Sequence, residues 1–163
     1  MVPDEERMKQ FFSTVMKKDK LTPAEQLILN NPLNQRVIIA ENKQTPPEIL
    51  SMLAEDWCLD VRMRVAENPN TPPETLKKLA EDTDTYVLKR VAHNPNTPPE
   101  TLKKLARVNS FMVRACVAGN PNTPIATLIQ LSNDSFTYVR FCVANNPSTP
   151  TDIREKLRAE LNL

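Results

Sequence analysis

Glycine is almost absent: the 163-residue chain has one, Gly119. A glycine-rich phosphate loop needs several residues free of a Cβ, so that route to nucleotide binding is excluded. Histidine is equally scarce, with His93 alone, which leaves no histidine-based triad to spread along the chain. The three cysteines, Cys58, Cys116 and Cys142, are an odd number without C-x-x-C spacing. They argue against a disulfide framework and against metal binding, and fit packing in a reducing cytoplasm. Excess charge is also lacking: 21 Lys and Arg stand against 20 Asp and Glu, so no global field attracts nucleic acid or an anionic membrane. No apolar run is long enough to span a membrane, and the first residues include Asp4, Glu5 and Glu6 where a signal peptide would be basic. A cytoplasmic, unexported protein is expected. No carboxylate pair recurs in an apolar setting suited to acid-base work, so neither an enzyme nor a cofactor is expected.

Proline, by contrast, occurs 15 times, and much of it falls in a strict period. Thr-Pro recurs at Thr45, Thr71, Thr97, Thr123 and Thr149, each 26 residues after the last. Asn42, Asn68, Asn94, Asn120 and Asn146 keep the same step, as do Leu53, Leu79, Leu105, Leu131 and Leu157. Ala40, Ala66, Ala92, Ala118 and Ala144 follow it too, with Val61, Val87, Val113 and Val139. An earlier Thr22-Pro23 opens a copy three residues short, an expected trimmed helix at the edge of the array.

Within one unit, Thr71, Pro72 and Glu74 have the spacing of an N-cap, first helical residue and capping-box partner. The helix they predict runs to about Asp82, with Leu76, Leu79 and Ala80 on one face and Lys77 and Lys78 toward water. After a polar turn, Tyr86 to Ala92 reads as a second, shorter helix, partly of the tighter 3₁₀ kind, with Val87 and Val91 inward. Asn94-Pro95 ends it, because a residue before proline is pushed out of the helical region. These apolar stripes are too narrow for one unit to offset the entropy of ordering its chain, so folding requires stacking. The expectation is a single all-α repeat domain over residues 1–163: an N-terminal capping helix over 1–21 bearing Met8, Phe11, Phe12, Val15 and Met16, tandem repeats over 22–148, and a C-terminal capping helix over 149–163.

The block from Val61 and Arg62 through Asn68-Pro69-Asn70-Thr71-Pro72-Pro73-Glu74 to Leu76, Leu79 and Ala80 closely resembles the leucine-rich repeat variant family, and the likeness extends over residues 22–163. The resemblance implies a right-handed superhelix of alternating α and 3₁₀ helices, akin to HEAT repeats, in about five to six units. It implies no settled biochemical activity. Some relatives carry a cysteine-rich iron-sulfur segment ahead of the repeats; residues 1–50 here contain no cysteine, so no cluster is expected.

Two residue sets could carry recognition. Arg36, Arg62, Arg114 and Arg140 share one register, broken by Leu88, and Arg64 and Arg90 lie two residues further on. Stacking lines them into a basic ladder. Such a ladder either grips carboxylates or phosphates on a partner, or pairs between repeats with Asp60, Asp82, Asp84 or Asp134; the resemblance to HEAT-like solenoids favours the second. Trp57, Tyr86, Phe111, Phe136 and Tyr138 gather in the turn between helices, as interface anchors or as a lid over the apolar seam, with Trp57 the best single candidate for an exposed anchor. The asparagine column is expected to be structural, its amides satisfying backbone groups of the neighbouring turn. Lys77, Lys78, Lys103 and Lys104 read as a solvated outer face, and His93 as a surface variant. The function expected is a monomeric, noncatalytic scaffold binding a peptide or protein on a concave surface lined by the Val-Arg helices, with no membrane role. The alternative is a nucleic-acid-binding solenoid whose arginines track phosphates.

Overall fold

The computed structural model describes residues 32–163. The expected capping helix over 1–21 and the start of the shortened copy at Thr22 lie outside the described residues. Within them the chain is helical throughout, with nine-residue and seven-residue helices in alternation: α1 (Leu33–Glu41), α2 (Pro47–Leu53), α3 (Leu59–Glu67), α4 (Pro73–Leu79), α5 (Thr85–His93), α6 (Pro99–Leu105), α7 (Phe111–Gly119), α8 (Ile125–Leu131) and α9 (Thr137–Asn145), closed by the longer α10 (Thr151–Leu161). One nine-residue helix and the next helix in the chain make a unit, and five units are described. The fold is an α-solenoid.

Each nine-residue helix packs on its counterparts in the adjacent units, α1 on α3, α3 on α5, α5 on α7 and α7 on α9, with α10 closing on α9. The seven-residue helices lean mainly on the nine-residue helices that flank them. The repeated alanines Ala40, Ala66, Ala92, Ala118 and Ala144 are fully buried, small enough to let successive helices approach closely. Val61, Val65, Val87, Val91, Val113, Val117, Val139 and Val143 fill the seam beside them, and Leu50, Leu76, Leu102, Leu128 and Leu157 seal it from the other row. The core therefore runs unbroken from unit to unit, as a quasi-one-dimensional stack requires.

Three local expectations are corrected. First, no capping box forms. Pro72 and Pro98 occupy the N-cap with extended ψ of 148° and 146° and no side-chain cap hydrogen bond, and Pro46, Pro124 and Pro150 do the same at 144°, 141° and 142°. The threonine lies one residue earlier and turns back: the Thr71 hydroxyl donates to the Val65 carbonyl at 2.5 Å, and Thr97, Thr123 and Thr149 do the same to Val91, Val117 and Val143. A carbonyl near the end of a helix has no partner of its own, so this hydroxyl finishes the preceding helix instead of starting the next. Second, the helix after Pro72 stops at Leu79, not near Asp82, because the amides of Glu81 and Asp82 turn to the carbonyls of Lys78 and Leu79 and tighten the last turn. Third, the Val-Arg helix is the longer of the two, and both are α-helices where a partly 3₁₀ segment was expected.

Candidate functional site

Three sets of polar side chains tie one unit to the next. The innermost is the asparagine column. Asn94 Nδ2 donates to the Ala66 carbonyl at 2.8 Å and the Asn68 carbonyl at 3.0 Å, both in the previous unit. Its Oδ1 accepts from the Asn96 amide at 2.8 Å, so one side chain satisfies three buried or half-buried backbone groups. Asn68, Asn120 and Asn146 repeat the pattern. A second amide register, absent from the sequence reading, runs beside it: Asn70, Asn96 and Asn122 donate to the carbonyls of Lys43, Pro69 and Pro95.

The second set joins the arginine register to a carboxylate 20 residues ahead, in the turn of the next unit. Arg62 Nε donates to Asp82 Oδ2 at 2.7 Å, while its Nη1 reaches back to the carbonyls of Asp56 and Trp57. Arg36 pairs with Asp56 at 2.7 Å and Arg114 with Asp134 at 2.6 Å. In the last unit Arg140 meets Glu160 at 3.0 Å through Nη2, and its buried Nε has no partner. Each aspartate also accepts from the amide two residues on, so Asp82 holds Asp84 N and Asp134 holds Phe136 N at 2.9 Å. Burial pushes the Asp134 carboxyl up, but the hydrogen bonds from Arg114 and Phe136 and the charges of Arg114 and Arg140 outweigh it, holding the acid below its usual range. Arg114 is correspondingly raised by Asp134. Of the acids named from sequence, Asp82 and Asp134 are the partners; Asp84 instead caps α5 by accepting from the Tyr86 amide at 2.8 Å. Asp60 is exposed, and Asp56 is the partner that the sequence reading passed over.

At one step the ladder changes chemistry. Leu88 takes the arginine position and Val108, 20 residues on, the aspartate position; Leu88 is buried and Val108 packs half-buried against the core. The ion pair is replaced on both sides at once. The signal was present in the sequence, but it needs the 20-residue offset, which only the packing reveals.

The third set is superficial. Arg64 bridges Glu41 at 3.7 Å and Glu67 at 3.3 Å along an open groove of about 460 Å³ that His93 and Lys43 also line, and Arg90 reaches Glu67 at 3.1 Å. On the seven-residue helices Lys78 meets Glu55 and Lys104 meets Glu81, so two of the four outer lysines are cross-linked between units and Lys77 and Lys103 pair within their own helices.

The outward face of the nine-residue helices carries what remains. Its positions in units two to five are Asp60, Met63, Arg64 and Glu67; then Tyr86, Lys89, Arg90 and His93; then Met112, Cys116 and Gly119, with the intervening Ala115 buried; then Tyr138, Phe141, Cys142 and Asn145. Charge gives way to apolar surface along this stripe. Tyr86, Met112 and Tyr138 share one register and are 62%, 44% and 58% exposed, with Phe141 at 40% and stacked on Tyr138 at 6.3 Å. Burial raises the Cys116 thiol despite Lys89 and Arg90; burial and then Cys116 raise Cys142 despite Tyr138. Such thiols are poor nucleophiles.

The structure thus divides the residues singled out from sequence. Arg36, Arg62, Arg114 and Arg140 lie between units, the side chain of Arg62 being only 3% exposed. Arg64 and Arg90 lie on the outward face. Trp57, expected as an exposed anchor, is half-buried beneath the Arg36 guanidinium at 5.4 Å, and Phe136 lies under Arg114 while stacking on Phe111 at 4.6 Å. Tyr86 and Tyr138 lie in the first turn of α5 and α9, not in the turns between helices, and are the most exposed of these aromatics. Among the described residues no cluster of His, Cys, Asp or Glu is placed to hold a metal ion, and no helix is long and apolar enough to cross a membrane.

These features define a helical-repeat protein whose units interlock through side-chain ladders. The family model described as leucine rich repeat variant matches residues 59–84, which is α3, the Asn-Pro turn and α4 of unit two together with the turn leading into unit three. No curated protein and no solved structure matches the chain.

Proposed function

We propose that the protein is a noncatalytic scaffold that holds a peptide or protein partner on the outward face of the nine-residue helices. The observation that carries this reading is the row Tyr86, Met112, Tyr138 and Phe141, exposed on a frame whose arginine and asparagine columns are engaged in its own ladders. Large apolar side chains in water at one register across three units are a standing cost to solubility, and surface of this kind marks interaction sites. The nine-residue helices form the more closely packed row, so equivalent side chains on successive units are brought near one another on this face. Noncatalytic repeats of the leucine rich repeat variant type suit such a role. The alternative of phosphate tracking loses support because the guanidinium groups of Arg62 and Arg114 already hold carboxylates. Affinity capture from lysate tests the proposal: proteins retained by the wild type are lost with Met112→Glu plus Tyr138→Glu and kept with Lys77→Glu plus Lys103→Glu. Equal retention by both variants overturns it.

A further inference from the structure

We infer that the partner is a proline-rich segment in the extended polyproline conformation, with an apolar side chain at every third residue and an acidic residue at the end lying over unit three. The inference rests on the reading that this face binds a polypeptide, and it supplies the partner's chemistry.

Spacing is the first ground. Tyr86, Met112 and Tyr138 occupy equivalent positions on α5, α7 and α9, three helices packed side by side. Helices in contact lie roughly 8–10 Å apart, so the three anchors repeat at about that distance. An α-helical ligand returns the same face every ~5.4 Å, or ~10.8 Å over two turns, and a β-strand every ~6.8 Å, and neither repeat falls inside the spacing of the anchors. Polyproline advances about 9.3 Å in each three-residue turn, so the same face of the ligand returns at each anchor.

The second ground is shape and surface chemistry. Beside Met112, between the rings of Tyr86 and Tyr138, the equivalent face of unit four carries the half-buried Cys116 and the exposed Gly119, and a Cβ built on Gly119 meets nothing within 4 Å. The result is an uncharged saddle between aromatic rims. Grooves lined by aromatic side chains are how proline-rich ligands are held, because the stiff ligand loses little entropy on docking.

Charge supplies the direction. Lys89 and Arg90 border the saddle on the unit-three side, and units four and five present no charge on this face. Arg90 shares Glu67 with Arg64, whereas Lys89 has no carboxylate partner among the described residues. An acidic residue on the ligand beside Tyr86 would complete that pair, and an acid placed over unit five would have no cation to meet.

The test is fluorescence polarisation with dye-labelled synthetic peptides. One has two glutamates followed by three Leu-Pro-Pro triplets. A second has the same composition with the leucines contiguous, and a third is an amphipathic helix former of equal charge. The triplet peptide should bind most tightly, at least tenfold above the contiguous one. Met112→Glu and Tyr138→Glu should each weaken it tenfold or more, and Lys89→Glu about threefold, with circular dichroism unchanged because all three side chains reach solvent. If the helix former binds better and is lost in Met112→Glu, the polyproline inference fails while the scaffold reading survives. If no peptide binds, or binding ignores all three variants, the inference also fails, and the lysate capture decides separately whether the face binds anything.

Discussion

Two neighbouring junctions solve the same problem in opposite ways. Between units two and three, Arg62 and Asp82 form an ion pair withdrawn from water, and Arg62 also closes the turn at Asp56 and Trp57. Between units three and four, Leu88 and Val108 occupy the equivalent places and fill them with hydrocarbon. The surrounding helices are the same length and stack in the same order. A buried pair must recover the cost of stripping water from two charges, and a well-packed apolar pair of similar volume often does as well or better. The comparison therefore teaches that the ion pair is not required for stacking. What it adds is direction: a charged position accepts only its partner, which penalises a slipped register, whereas a leucine tolerates several neighbours.

The largest effect should come from breaking the ion pair on one side. Arg62→Leu alone leaves Asp82 without its main cation, and urea denaturation should show a loss of about 3–5 kcal/mol. Leu88→Arg alone, which buries a cation against Val108, should cost a similar amount; a loss below about 1 kcal/mol in either would mean that water reaches this layer. Removing an amide that the two junctions have in common comes next. Asn94→Ala strands the carbonyl of Ala66 and the amide of Asn96 and leaves the Asn68 carbonyl only its bond from the Thr71 amide, with an expected loss of about 2–3 kcal/mol by the same assay. Smaller is the double exchange Arg62→Leu with Asp82→Val, which copies the next junction into this one. It should restore most of the single-variant loss, finishing within about 1–2 kcal/mol of wild type or above it, and failure to recover would show that the two junctions differ in more than these side chains. At the exposed margin, Lys78→Ala should change stability by under about 1 kcal/mol, since its partner Glu55 is also solvated.

The same contrast predicts a pH signature. Asp134 is held below its ordinary range in the folded state, so its ionisation stabilises the fold fully above the unfolded value near ~4. That contribution fades as pH falls through the lower, folded value. Copying the apolar junction into this site with Arg114→Leu and Asp134→Val should flatten the acid limb of a melting-temperature profile below about pH 4 and leave its neutral limb parallel to wild type. An unchanged acid limb would show that the carboxylate is not preferentially stabilised by folding.

The sequence is most legible where one unit explains itself. Proline and the apolar spacing place two helices per unit, and the recurrence of alanine, valine and leucine identifies the seam. It misleads where a side chain leaves its own segment. Thr71 has the local spacing of a cap, yet its hydroxyl lies nearer the end of the previous helix than the start of the next. Trp57 between Asp56 and Cys58 reads as exposed, yet Arg36 from the previous unit covers it. Arg62 and Arg64 are indistinguishable as basic residues on one helix, but a step of two residues turns one inward and the other to solvent.

The repeat period by itself determined that equivalent positions would align, because any stack of identical units brings position onto position. It also determined which columns are polar and which apolar. Tertiary structure alone decided which different columns touch, since that depends on how one helix leans on the next. From that lean came the 20-residue offset joining arginine to aspartate, the silent exchange at Leu88 and Val108, and the outward turn of Tyr86, Met112 and Tyr138.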